Sequence, residues 1–172
     1  MTATIPIVSV VGRSGSGKTT FVEKLIRELK ARGYRLAVIK HHHHPDFAFD
    51  VPGKDSYRFA QAGADHVLVA GPTKVVHVRQ FASEPPLEDV VAKIDGVDLI
   101  ITEGYKRADT PKIEVSRGAV GGAAGVGAAS DLVAAPDRLV AIVSDRSFRL
   151  PVPQFGLEDV AGVADLIEAR LL

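Results

Sequence analysis

The sequence predicts an α/β domain of three layers, built on a mostly parallel sheet with a small β-hairpin excursion. Three observations carry this. Strand, helix and strand follow one another within about 35 residues near the start, a βαβ unit that brings a parallel strand pair and a right-handed crossover. Strands of buried character and helices go on alternating down the chain. The composition is that of an ordinary globular protein, 46% hydrophobic and 24% charged over 172 residues, enough for one domain with a real core.

Residues 5–11 (IPIVSVV) are β-branched and apolar at nearly every position, as in a strand covered on both faces. A glycine-rich turn follows. Residues 18–32 put Phe21, Val22, Leu25, Ile26 and Leu29 at helical spacing, and Gly33 suits the stop. Residues 35–40 (RLAVIK) read as the second strand. Residues 55–62 form a short helix closed by Gly63, then 66–70 and 74–79 are strands turned at Gly71-Pro72. Pro85-Pro86 opens a helix running to residue 94. Further strands are 98–102 (DLIIT), 112–115 and 139–143. The closing helix, 157–172, repeats Val160, Val163, Ala164, Ile167 and Leu171 on one face, with Glu158 and Asp159 favouring its start. Neither an internal repeat nor an interdomain linker is visible, so one domain over 1–172 is expected.

The net charge is zero, which argues against general nucleic-acid binding, because that needs a clustered positive field. Without cysteine, disulfides and thiolate metal sites are excluded. No apolar run approaches the roughly 20 residues that cross a bilayer. The first residues lack the basic and apolar segments of a signal peptide, so a cytoplasmic location without membrane attachment is expected.

Gly12-Arg13-Ser14-Gly15-Ser16-Gly17-Lys18-Thr19 matches G-x-x-x-x-G-K-[ST] in full. Small glycines let backbone N–H groups turn inward around phosphates, and the helix starting near Lys18 adds its positive end. Lys18 then reaches the β- and γ-phosphates, and Thr19 offers a hydroxyl to Mg²⁺. The motif lies between a buried strand and a helix, the context it demands. A nucleotide–Mg²⁺ site on residues 12–20 and the P-loop NTPase fold are therefore expected.

Such a site needs a carboxylate at the C-terminal end of a neighbouring strand. Glu103, after DLIIT, stands at that end; an exposed turn glutamate is the alternative. Asp98 starts the same strand, about 17 Å away for five extended residues, and belongs at the opposite edge of the sheet.

Lys40 is followed by four histidines, His41 to His44. Transition-metal binding, imidazoles lining the phosphate mouth and a solvated polar loop all fit. Neighbouring side chains of an extended loop alternate in direction, so at most two or three could share an ion. The stretch from Asp50 to Arg58 packs charges and turn formers together. Asp50 is a candidate Mg²⁺ partner and Lys54 and Arg58 candidate anion contacts; a surface turn capping the next helix at Asp55 or Ser56 fits equally.

These residues together resemble the molybdopterin-guanine dinucleotide biosynthesis adaptor family, MobB. The resemblance rests on GRSGSGKTT (12–20), KHHHHPDFAFDVPGKDSYRFAQAGA (40–64), DLIITEGYK (98–106) and PKIEV (111–115), and extends to AIVSD (141–145). The first motif is shared by many P-loop proteins; the histidine-to-GKDS stretch and the EGYK…PKIEV pair are more specific. It implies a homodimeric, weakly hydrolysing protein that binds GTP and Mg²⁺. It would assist the guanylyltransferase that joins GMP to molybdopterin, with molybdopterin or its guanylated form as further candidate ligands.

The phosphate contacts carry over onto Gly12 through Thr20, and the acidic Mg²⁺-side residue onto Glu103. The segment after the second strand maps to His41, Asp50, Lys54, Asp55 and Ser56, with Arg58 and Lys106 as further anion or partner candidates. Asp145, at the end of the last strand, is placed to accept from N1 and N2 of guanine. No Asn-Lys-x-Asp motif is present, so the base is inferred through the resemblance.

Residues 117–130 (RGAVGGAAGVGAAS) depart from the family pattern in their Gly and Ala content. They hold no strict G-x-G-x-x-G, and a flexible surface loop is the expectation. Two other functions remain open: a P-loop kinase for a small metabolite, using Asp50, Lys54, Arg58 and Arg107, and a nickel-type metal-delivery GTPase, suggested by the histidines. No catalytic residue is read from the sequence.

Overall fold

Strand β1 (Ile7–Val11) carries the loop of interest and lies at the centre of the sheet. The structure is a computed structural model and describes residues 5–42, 50–118 and 125–172. After β1 come α1 (Lys18–Ala31), β2 (Leu36–Lys40), α2 (Asp55–Gln61), β3 (His66–Ala70), β4 (Val75–Arg79) and α3 (Leu87–Val91). Then follow β5 (Leu99–Glu103), β6 (Lys112–Ser116), β7 (Val126–Gly127), β8 (Leu139–Ser144), β9 (Ser147–Phe148), β10 (Gln154–Phe155) and α4 (Val160–Leu171). The chain forms two compact units, one of Met1–His41 with Ile94–Leu172 and one of His42–Lys93.

The first unit holds a six-stranded sheet in the order β10-β8-β6-β1-β5-β2, with every described pair parallel. β1 is therefore flanked by β5 and β6, Ser9 lying opposite Thr102 on one side and Lys112 on the other. Parallel order brings the C-terminal ends of these strands to one edge, where open α/β sheets bind ligands.

Alternation along the strands divides their side chains between two faces. One face receives Val8 and Val10 of β1, Leu99 and Ile101 of β5 and Ala141 and Val143 of β8. Phe21, Val22, Leu25 and Leu29 of α1 and Val163, Ala164 and Ile167 of α4 pack on them. Leu25 and Leu29 are fully buried, each contributing about 2–3 kcal/mol relative to exposure. Arg32 ties the two helices together, donating to Glu28 (2.9 Å), Asp165 (2.6 Å), Glu168 (2.8 Å) and the Ala161 carbonyl (3.2 Å). The other face gathers Val11, Ile142, Leu139, Phe148 and Ala134. Two 3₁₀ turns, Ala129–Asp131 and Pro136–Arg138, flank Ala134. This face also carries the buried polar residues Ser9, Thr102, Lys112, Glu114 and Ser144.

The second unit contains α2, α3 and the antiparallel hairpin of β3 and β4, the excursion expected from the turn at Gly71-Pro72. Val67 is buried, whereas Leu68, Val69 and Val75 are exposed.

Some expectations needed correction. The helix after Pro85-Pro86 is only Leu87–Val91, with Pro86 as its cap residue. The last helix starts at Val160, not 157, because Asp159 is the cap residue and its carboxylate accepts the Gly162 N–H at 3.1 Å. Neither Asp55 nor Ser56 caps α2: Lys54 holds the cap position without a side-chain bond, and both residues lie in the first turn. Strand β10 was not expected, since two residues after Pro151 and Pro153 give no periodic signal.

Candidate phosphate-binding site

Between β1 and α1 the chain turns on Gly12 (φ +150°), Gly15 (φ +77°) and Gly17 (φ +91°). Gly12 is required by contact as well as conformation. A Cβ there would stand 2.2 Å from the Val115 carbonyl oxygen and 2.8 Å from Ser16 Oγ. Gly17 is the cap residue of α1 and supplies no side-chain bond, and no acid lies in the first turn. No acid of the helix's own first turn therefore competes for the first N–H groups of this 14-residue helix, which suits an outside anion.

Lys18 Nζ donates to the Arg13 carbonyl at 2.7 Å, and the Ser16 N–H reaches the same oxygen at 3.3 Å. Burial holds the Lys18 ammonium below the usual lysine range; Lys106 and Lys40 act in the same direction, and Glu103 and Glu114 oppose them. Three cations thus converge on the loop from α1, β2 and the turn after β5. Ser16 Oγ is buried without a hydrogen-bond partner, a polar atom directed into the fold of the loop.

Thr19 Oγ1 donates to the Glu103 carboxylate, 3.0 Å from Oε1 and 3.1 Å from Oε2. The two residues are brought together because β5 lies beside β1 and ends level with the loop. Asp98 begins β5 and is committed to Arg35, whose backbone N–H, Nε and Nη2 donate at 2.7, 3.1 and 2.6 Å. It serves the opposite edge, as expected. Lys40, at the end of β2, pairs in register with Glu103 and places Nζ 3.6 Å from its carboxylate.

The His41 N–H donates to the Glu103 carbonyl at 2.9 Å, and its ring stacks on Tyr105 with centroids 4.4 Å apart. His43 and His44 lie outside the described residues. Among the described residues no group of three His, Asp or Glu side chains is arranged to hold a metal ion. Asp50, Lys54, Asp55, Ser56 and Arg58 belong to the second unit. There Asp50 Oδ1 accepts the Val51 N–H at 2.8 Å, and Arg58 lies 3.8 Å from Asp55. Asp145 Oδ1 accepts the Gly118 N–H at 2.8 Å, so this carboxylate orders the chain leaving β6. Residues 119–124 of the Gly/Ala-rich stretch are outside the described residues.

Three features of the site escaped the sequence reading. A cavity of about 400 Å³ flanks the loop, lined by Arg13, Ser16, Glu114, Ser116, Asp131 and Arg146 among others. Glu114 is buried and accepts the Val133 and Ala134 N–H groups at 3.1 and 2.9 Å. Burial raises its pKa, against the pull of those two N–H groups and of Lys106 and Lys18. Lys40 was missed as the partner of Glu103 because strand order is not written in the spacing of single residues. Glu114 was signalled by alternation: in KIEVS, Lys112, Glu114 and Ser116 share one face of an interior strand.

A glycine loop joining the central strand of a parallel sheet to a helix, with lysine and threonine at the helix start and a carboxylate on the adjacent strand, defines a P-loop protein. Residues 7–145 match the family model described as molybdopterin guanine dinucleotide synthesis protein B, MobB. The molybdopterin-guanine dinucleotide biosynthesis adapter protein of Escherichia coli K12 is 35% identical over 167 residues, covering 95% of this chain and 91% of that protein. The protein of the same name from Haemophilus influenzae is 40% identical over 115 residues, 66% of this chain and 64% of that one. Among solved structures, that of Bacillus subtilis MobB superposes with a TM-score of 0.74 at 26% identity, covering 97% of this chain and 98% of that one. A crystal structure of molybdopterin-guanine biosynthesis protein B gives 0.69 at 27%, covering 96% and 99%. The chain belongs to the MobB family.

Proposed function

We propose that this protein is an adapter in molybdopterin-guanine dinucleotide biosynthesis that binds GTP with Mg²⁺, hydrolyses it weakly and assists the molybdopterin guanylyltransferase. The observation that carries the nucleotide part is the pairing of the Thr19 hydroxyl with both oxygens of Glu103 at the mouth of the loop. A hydroxyl at the start of the helix and a carboxylate on the neighbouring strand form the donor set that a hard divalent cation selects.

The residues present fit both groups. Gly12 leaves room that any Cβ would fill, Ser16 offers a buried unpaired hydroxyl, and Lys18 stands over the loop. The backbone from Arg13 to Thr20 would hold the phosphates, with Thr19 and Glu103 on the metal side. Asp50 is a further candidate for the metal. When bound, Mg²⁺ neutralises phosphate charge and lowers the repulsion that the chain's own cations must offset. Asp145 turns one oxygen to Gly118, leaving Oδ2 to accept from the guanine edge. His41, Lys54, Asp55, Ser56, Arg58 and Lys106 are candidates for contacts with the partner or with molybdopterin.

The adapter role rests on the family and on the names its relatives carry. A homodimer, expected through the same kinship, finds apolar surface in Leu68, Val69 and Val75 of the hairpin. In the described residues no helix is long and apolar enough to cross a membrane, in keeping with work in the cytoplasm.

Calorimetry with GTP and ATP, each with and without Mg²⁺, tests the nucleotide part. GTP should bind more tightly, Mg²⁺ should strengthen binding, and Lys18→Ala should weaken both nucleotides at least tenfold, or about 1.4 kcal/mol. A clear ATP preference would refute the role of Asp145. Capture of the guanylyltransferase by the tagged protein tests the adapter part, and failure of the two to associate at micromolar concentration would refute it.

A further inference from the structure

A second cluster of cations lies on the sheet face turned away from α1 and α4. Lys112 opens β6, an inner strand of the parallel sheet, and is 1% exposed, an unusual burial for a lysine. Its Nζ donates to the Tyr105 carbonyl at 3.0 Å and to Thr110 Oγ1 at 2.7 Å. Both acceptors are neutral, and an ammonium has a third proton to place. Thr110 is itself fixed by Ser9 Oγ at 2.6 Å, which in turn accepts the Thr102 hydroxyl at 2.8 Å. Among the described residues no carboxylate lies within ion-pairing distance of Lys112, although a buried charge normally has one.

The local backbone is shaped around this ammonium. Gly104 (φ +100°) and Tyr105 (φ +49°) turn left-handed in succession, and Tyr105 is the one non-glycine residue with positive φ among the described residues. The turn directs the Tyr105 carbonyl at Lys112. Strained backbone of this kind persists where the surrounding structure over-determines it, and it gathers at functional sites.

Lys112 forms part of the wall of a cavity of about 370 Å³ whose other charged residues are Lys106, Arg107, Asp109, Asp137 and Arg138. Both acids are engaged by one arginine: Arg138 lies 2.5 Å from Asp109 and 3.5 Å from Asp137. Lys106, Arg107 and Lys112 remain without a carboxylate in the described residues, so the cavity is cationic. Burial also pushes the Lys112 ammonium down to about 8, Asp109 opposing and Arg138 adding to the effect.

We infer that this cavity is a second anion site, for a phosphomonoester dianion, with Lys112 at its floor and Lys106 and Arg107 at its mouth. It shares no residue with the phosphate loop, and its assignment does not depend on which nucleotide the loop prefers. Its volume exceeds that of a bare phosphate and leaves room for part of an attached organic group. Lys106 contributes to the field on both sides, since it also depresses Lys18. The protein is thereby equipped to hold two phosphorylated ligands side by side.

Titration calorimetry with inorganic phosphate and with glycerol 3-phosphate tests this in the full-length protein. With the loop disabled by Lys18→Ala, one phosphate site should remain. Adding Lys106→Ala and Arg107→Ala, both at exposed positions, should weaken that site at least tenfold, and Lys112→Met should abolish it. Tighter binding of glycerol 3-phosphate than of phosphate identifies an organic ester as the occupant; equal binding identifies the free oxyanion. Absence of a phosphate site in Lys18→Ala protein would overturn the inference. So would an affinity that the Lys106/Arg107 pair leaves unchanged, a result obtainable even if Lys112→Met does not fold.

Discussion

Replacing Gly12 by alanine should unfold the protein early, and the structure gives the size of the effect. The new Cβ would stand 2.2 Å from the Val115 carbonyl oxygen, 3.3 Å from its carbon and 2.8 Å from Ser16 Oγ. An ordinary carbon–oxygen contact is about 3.3 Å or more, so something must move by roughly 1 Å. Ser16 can rotate away, but Val115 belongs to β6, which is bonded on both sides, to β1 and to β8. Overpacking against such a wall costs about 1–3 kcal/mol. The left-handed φ of +150° adds about 1–2 kcal/mol for any side chain. Together these make about 2–5 kcal/mol, or a fall in Tm of roughly 4–20 °C for a chain of this size. Thermal unfolding followed by circular dichroism measures it, with Gly33→Ala as reference. Gly33 has φ +95° and nothing within 4 Å of a Cβ, so only the backbone part applies there. If the two variants melt within about 2 °C of each other, the close approach of Val115 is not what fixes Gly12.

Three further outcomes follow from the charges. Lys112 has a folded pKa of about 8 against 10.5 in the unfolded chain, so the unfolded chain binds more protons between those values. Its destabilising effect is complete below pH 8 and is relieved as pH rises to about 10.5, by about 3 kcal/mol. Urea unfolding should show wild type gaining that much on Lys112→Met between pH 7.5 and 10.5, and parallel profiles would contradict it. Asp98 is held down to about 2 from 3.8 by hydrogen bonds from the Arg35 side chain and backbone. Its contribution is complete above pH 4 and fades towards pH 2, so Asp98→Asn should flatten the acid limb of the stability profile and leave neutral nucleotide binding intact. Glu103→Gln should remove at least tenfold of any Mg²⁺-dependent gain in nucleotide affinity, read by calorimetry with and without the metal; an unchanged gain would take Glu103 out of the metal's shell.

The phosphate loop was legible in the sequence because its chemistry is contiguous: glycines, lysine and threonine act within nine residues and need only a strand before and a helix after. Glu103 was legible by a longer argument, from the length of one strand. What joins Thr19 to Glu103, Lys40 to Glu103 and Lys112 to Thr110 is strand order, and order depends on how crossovers stack, not on local spacing. Ser9 was hidden within an apolar strand, and its value appears only once Thr102 and Thr110 converge on it. The edge strand β10 and the 3₁₀ turns are too short to leave a periodic trace. The ends of α4 and α2 differ from expectation for the opposite reason. Caps are set by single side chains, and Asp159 forms its bond where Asp55 and Ser56 do not.

The bond from Lys18 to the Arg13 carbonyl has a bearing on binding kinetics. Together with the Thr19–Glu103 pair it holds the Lys18 ammonium, the Thr19 hydroxyl and the Glu103 carboxylate in place before any phosphate or cation arrives. A ligand arriving there meets side chains already held in place and has little chain entropy to remove. The loop is therefore a preset mould: association should be governed by electrostatic attraction to its three converging lysines, and differences in affinity between ligands should appear mainly in how fast they leave.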